Sequence, residues 1–134
     1  MSDIEKINTD IANVVKFINN GGNIKHFIED TFLISVDIAG LYYGENIDEI
    51  FFELKKGTVL DLYREKNNVY DKKAIKIKYK DNKLGYVPRK HNIILANMMD
   101  AGKKVYALVE KAGTDSIYEN DVYRFVNIKI YLKE

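Results

Sequence analysis

Cysteine and tryptophan are absent from the 134 residues, proline occurs once and histidine twice. Without a thiol there is no disulfide framework, Cys-based zinc site, iron–sulfur cluster or sulfur nucleophile, and a reducing, cytoplasmic setting is expected. His26 and His91 stand far apart, with none of the short spacings that place two imidazoles on one metal ion. Ser2, Ser35 and Ser116 fall in no nucleophile-elbow pattern, and the adjacent glycines Gly21 and Gly22 close an apolar-periodic run instead of opening a phosphate loop. Long apolar runs are missing as well. Phe32 to Val36 is halted by Asp37, well short of the roughly 18 residues a bilayer span requires, and Met1 to Glu5 lacks the pattern of a secretory signal. These gaps leave no footing for a hydrolase, a kinase or a membrane protein. Neither a cofactor nor a metal is expected, and the chain reads as a non-enzyme.

What is present suits one compact domain: the length falls near the roughly 150 residues of a typical unit, and 46% of the residues are hydrophobic. The net charge of +1 conceals an asymmetry. Residues 1–57 carry 5 basic and 10 acidic side chains, residues 58–112 carry 13 and 6, and residues 113–134 carry 3 and 4. The middle section, at +7, has the local field that attracts phosphates.

Periodicity divides the chain into elements. Ser2 and Glu5 form a capping-box pattern, and Ile4, Ile7, Ile11, Val14 and Ile18 then make an apolar helix face, so residues 1–30 read as a helix with a connector. That stripe either packs on its own domain or pairs with a second copy. Residues 31–38 read as a strand. Asn46 as N-cap, Ile47, Ile50, Phe51 and Leu54 on one side, and Lys55-Lys56-Gly57 as a stop predict a helix over 47–56. The period then changes to two. Leu60, Leu62 and Arg64 share a strand face, while Ile75, Ile77 and Tyr79 alternate with Lys76, Lys78 and Lys80. Asp81-Asn82 signals a turn between strands at 73–80 and 83–87. A helix over 91–101 carrying Ile94, Leu95, Met98 and Met99 stops at Gly102, and strands at 105–109 and 122–132 complete the chain. Five or six strands with two or three helices describe a mostly β or α+β domain, a bent sheet or small barrel over 31–134.

The most informative stretch runs from Leu60 to Ile77, with Arg64-Glu65, Asn68, Tyr70-Asp71 and Ala74-Ile75, and is followed by Gly85-Tyr86-Val87-Pro88-Arg89. Aromatic and cationic groups interleave at strand ends, which is how single-stranded nucleic acid is held: rings stack on bases, for about 1 to 3 kcal/mol each, and cations follow phosphates. In this order the residues resemble the HIRAN domain family, across roughly residues 33–132, with Gly40 to Tyr43 similar to the family's aromatic pair before its first helix.

The resemblance implies an OB-like β-barrel that binds DNA, as in translocases whose HIRAN module captures single-stranded 3′ ends at stalled forks. It also implies a role in repair or fork processing beside a helicase or another repair protein. Carried over, Tyr42 and Tyr70 would stack terminal bases, with Tyr43 beside them. Asp71 would accept a hydrogen bond from the 3′-hydroxyl, Asn68 would shape the loop or touch the terminal nucleotide, Tyr86 and Arg89 would face phosphates, and Lys72 would belong to the same nucleic-acid-binding set. Leu41 and Val69 depart from the Arg and Pro that such modules tend to carry there.

Other readings stand beside this one. Tyr70-Asp71 could close a hairpin, with Tyr70 as a lid on the core. Tyr42 and Tyr43, if extended, point to opposite faces, so that only one lines a groove. The barrel could be a protein-interaction or assembly domain, homodimeric through the first helix. Asp61, Glu65 and Asp71 could hold Mg²⁺ in a nuclease, although Arg64 and Lys66 flank Glu65 and favour ion pairing.

Overall fold

A computed structural model describes residues 30–118 and 121–134, apart from the side chains of residues 117 and 118. The stripe expected over residues 4–18 lies outside the described residues. Residues 31–133 form one compact unit.

Alternating burial builds the sheet. β1 (Thr31–Asp37), β2 (Val59–Arg64), β3 (Ile75–Tyr79), β4 (Asn82–Tyr86), β5 (Val105–Tyr118) and β6 (Asp121–Leu132) pair antiparallel in the order β1-β6-β5-β2-β3-β4. Every second residue turns inward. Leu60, Ile75, Ile77, Leu84, Ile128 and Ile130 are fully buried, each contributing about 2 kcal/mol by leaving water. The chain beyond β1 then meets β4. Ala39 N–H donates to the Tyr86 carbonyl at 2.8 Å and Tyr86 N–H to the Ala39 carbonyl at 2.9 Å. These two bonds join the ends of the sheet, and the fold is a small OB-like barrel. Gly85 permits the approach, because a Cβ there would collide with the Ala39 carbonyl oxygen.

Among the described residues, two helices cover the barrel. α1 (Ile47–Ile50) continues as a 3₁₀ turn, Phe51–Glu53, and stops at Leu54, shorter than the helix expected over 47–56. Its apolar side is as read: Ile47, Ile50, Phe51 and Leu54 are buried. Asn46 does not cap it through its side chain. Its backbone is left-handed, φ 53°, and its amide donates to Asn82 Oδ1 at 2.8 Å. α2 (Arg89–Asp100) begins two residues earlier than expected, directly after Pro88. Its inward face is Asn92, Leu95 and Ala96, with Met99 partly buried, whereas Ile93 and Ile94 face solvent at 58% and 74% exposure. The β3–β4 turn is centred on Lys80 and Asp81, both at φ 49°, the conformation of a two-residue I′ hairpin. Lys80 thereby leaves the row of Lys76 and Lys78. Among the described residues no helix is long and apolar enough to cross a membrane.

Candidate nucleic-acid interface

The connection between β2 and β3, residues 65–74, is shaped by its own short polar side chains. Asn68 Oδ1 accepts the N–H groups of Tyr70 and Asp71 at 2.9 and 3.0 Å, an Asx turn that bends the chain outward. The Asn68 amide donates to Glu65 Oε1 at 3.1 Å. Arg64 pins the returning limb by donating to the carbonyls of Ala74 and Lys72 at 2.7 and 2.9 Å, and it grips Asp100 at 2.9 and 3.2 Å. Tyr70, whose carbonyl accepts from the Arg89 guanidinium, is left 85% exposed. It is no lid on the core.

Asp71 is held from two sides. Its Oδ1 accepts the Lys73 N–H at 2.9 Å, its Oδ2 accepts from the Asn92 amide at 2.7 Å, and Arg89 Nε stands 3.6 Å away. The Lys73 N–H above all, then Asn92 and the Arg89 and Arg64 charges, outweigh desolvation and hold its carboxyl below the usual range. It is ionised at neutral pH. Next to it, burial pushes Glu65 up, but hydrogen bonds from Tyr86 (2.7 Å) and Asn68 and the Lys76 ammonium (3.5 Å) overcome that and lower it. Tyr86, by its burial and by donating to Glu65, is pushed up to about 12.

These groups surround an open groove of about 320 Å³, walled by Gly40, Asn68, Tyr70, Asp71, Tyr86 and Arg89 over a floor of Ala39, Ala74 and Val87. Of the sequence candidates, Asn68, Tyr70, Asp71, Tyr86 and Arg89 converge here. Lys72 is exposed outside the lining and engages Arg64 through its carbonyl. Tyr42 and Tyr43 are not extended. Gly40, at φ 74°, turns the chain into a 3₁₀ turn, Leu41–Tyr43, that exposes both rings at 89% and 80%, edge to face at 5.2 Å. Tyr42 lines the neighbouring cleft, with Asp48, Glu49 and Arg124.

The carboxylates weighed as a metal site are each engaged by other partners. Asp61 lies opposite Lys78 on β2, Glu65 is tied to Tyr86 and to Lys76 rather than to its sequence neighbours, and Asp71 to Asn92. Among the described residues no three His, Asp or Glu side chains gather as a metal site. Asn92, 2% exposed, is the functional position the sequence reading passed over. Its signal was available: it lies three and seven residues before Leu95 and Met99, a polar group on the buried face of α2 that needs a polar partner.

A barrel joined between the chain beyond β1 and β4, with an open groove at the seam, defines a small OB-like class of β domain. The HIRAN domain model matches residues 31–133, and the chain belongs to this family of DNA-binding domains, which are not catalytic by themselves. A crystal structure of a protein from Lactobacillus plantarum is similar at 26% identity, with TM-score 0.57, covering 77% of this chain and 97% of that one. The crystallised HIRAN domain of human HLTF shares the fold, at 22% identity and TM-score 0.53, covering 78% and 81%. None of the curated proteins compared with the chain matches it.

Proposed function

We propose that this domain holds the 3′-hydroxyl end of single-stranded DNA in the groove beside Asp71, in repair or fork processing and in concert with a helicase or similar partner. One observation carries the reading: an ionised carboxylate, fixed by Lys73 N–H and Asn92, lines an open groove between exposed Tyr70 and the cation Arg89. A sugar hydroxyl donates to such a group with a charge-assisted bond, whereas a terminal phosphate meets like charge. Tyr70 offers a flat face to the last base, and Arg89 lies where the preceding phosphate would pass.

Fluorescence anisotropy with oligonucleotides ending in 3′-hydroxyl, 3′-phosphate or a blunt duplex tests this. The hydroxyl end should bind about tenfold or more tighter than the phosphate end, the worth of one charge-assisted bond, and Asp71→Asn should abolish the difference. Equal binding of all ends overturns the reading. The exposed Val69 (89%), Ile93 and Ile94 favour a second reading, a barrel that docks on a protein. Binding to none of the oligonucleotides would select it.

A further inference from the structure

Resting on that reading, the exit path of the strand follows from charge. Two ways lead out of the groove. One passes Tyr42 into the cleft where Asp48 and Glu49 are exposed and where Arg124 is already paired with Asp48 at 2.5 Å. Leu41, which lines that cleft, is apolar and buried, and offers a phosphate nothing. The other crosses the outer face of β2, β3 and β4. Tyr86, a wall of the groove, sits directly across from Lys76, and Lys76 across from Tyr63. Two strand spacings, about 10 Å, separate the tyrosines.

Tyr63 is an outward ring at 47% exposure with Lys78 over it at 5.4 Å. Tyr63 also lines a cleft of about 520 Å³ that carries Lys66, Lys103 and Lys104 together with Asp100, which is held by Arg64 and Lys66. Lys83, opposite Lys78, lies over the Tyr86 ring at 5.4 Å. Lys66 is shared with Asp100 at 3.6 Å and Lys76 with Glu65. Lys78, Lys83, Lys103 and Lys104 form no ion pair among the described residues, although Asp61 borders Lys78 and Glu45 accepts the Lys83 N–H. A ring with one ammonium over it and others lining the cleft beside it, none of the four in an ion pair, is what an unstacked polynucleotide requires, and the exposed carboxylates of the Tyr42 side are what it avoids.

We infer that single-stranded DNA anchored at the Asp71 groove leaves over Tyr86 and Lys76 and stacks on Tyr63, its phosphates reaching Lys78 on one side and Lys103 and Lys104 on the other. These interactions are indifferent to base identity and lengthen the footprint beyond the terminal nucleotides.

Anisotropy with 3′-hydroxyl oligothymidines of two to twelve nucleotides, on the full chain, tests it. Wild-type affinity should rise about tenfold between the shortest and those long enough to reach Tyr63. Tyr63→Ala and the triple change Lys78→Gln, Lys103→Gln, Lys104→Gln should flatten that rise, and the triple change should reduce the salt slope by about 2, at roughly 0.7 for each phosphate no longer neutralised. Thermal melting confirms that both variants fold. A length dependence unchanged in both variants overturns the path, while the hydroxyl-to-phosphate ratio of the wild type reports separately on the end-binding reading. Wild-type chain that binds no oligothymidine overturns both. Flattening in the variants without any end preference upholds the path and rejects the end.

Discussion

Asp71, Glu65 and Tyr86 sit within one hydrogen-bonded cluster whose protonation is biased in opposite directions. Both carboxyls are lowered, so each stabilises the fold above about pH 4 and loses that contribution as pH falls through its folded value. Melting temperature measured from pH 7 down to 3 should therefore fall mainly below pH 4, and Asp71→Asn should soften the decline. Tyr86 is raised, so it favours the neutral phenol in the folded chain. Its contribution holds below about pH 10 and is lost as pH rises toward about 12. Ultraviolet titration of the tyrosinates should show a late-ionising phenol near that value, and Tyr86→Phe should remove it. Asn92 carries a sharper expectation. With 2% exposure and an amide 2.7 Å from Asp71, Asn92→Asp sets a buried acid against the carboxylate that lines the groove. It should lower stability at pH 7 by about 3 kcal/mol or more, read by urea denaturation, with part of the loss restored as the pH is lowered and one of the two acids protonates.

Beside its own Asn68 and Asp71, the loop of residues 65–74 depends on Arg64, which pins its returning limb from outside. That guanidinium, with its side chain 10% exposed, closes two carbonyls and an ion pair at once. Arg64→Ala should cost about 2 kcal/mol by urea denaturation and should weaken oligonucleotide binding even though the guanidinium does not line the groove. Much at this scale was legible in the sequence. The strands announced themselves because inward and outward residues alternate strictly, as Ile75, Lys76, Ile77 and Lys78 do, and Gly102 at φ 90° ends α2 where glycine was expected to. Arg64 was not legible as a clamp, since its partner Asp100 lies 36 positions away and no local pattern couples them. The apolar face of α2 was misjudged for a related reason. Leu95 and Met99 turn inward as read, but Ile94 is exposed and the inward place is taken by Asn92, whose partner Asp71 lies 21 positions away. The groove's membership came through in Asn68, Tyr70, Asp71, Tyr86 and Arg89, while the posture of Tyr42 and Tyr43 depended on Gly40 adopting a left-handed backbone, which the sequence permits but does not announce.

For the molecule as a whole, the seam between Ala39 and Tyr86 decides whether the sheet is open or closed, and the groove lies on that seam. Gly85→Ala forces a Cβ against the Ala39 carbonyl. The seam should part, at a cost of about 1 to 3 kcal/mol. Amide exchange at Ala39 and Tyr86 should speed up ahead of the rest of the sheet, and oligonucleotide affinity should fall with it.

The order of the strands has an outcome in time as well as in space. β1 finds its ladder on β6, with Thr31 paired to Leu132 and Asp37 to Asn127. While the ribosome is still making the chain, β1 has no ladder to join until β6 has emerged. A pairing that spans so much sequence makes for slow maturation and a long interval in which a bare strand can be captured by another chain. Nascent copies of this domain should therefore lean on holding chaperones until β6 is made.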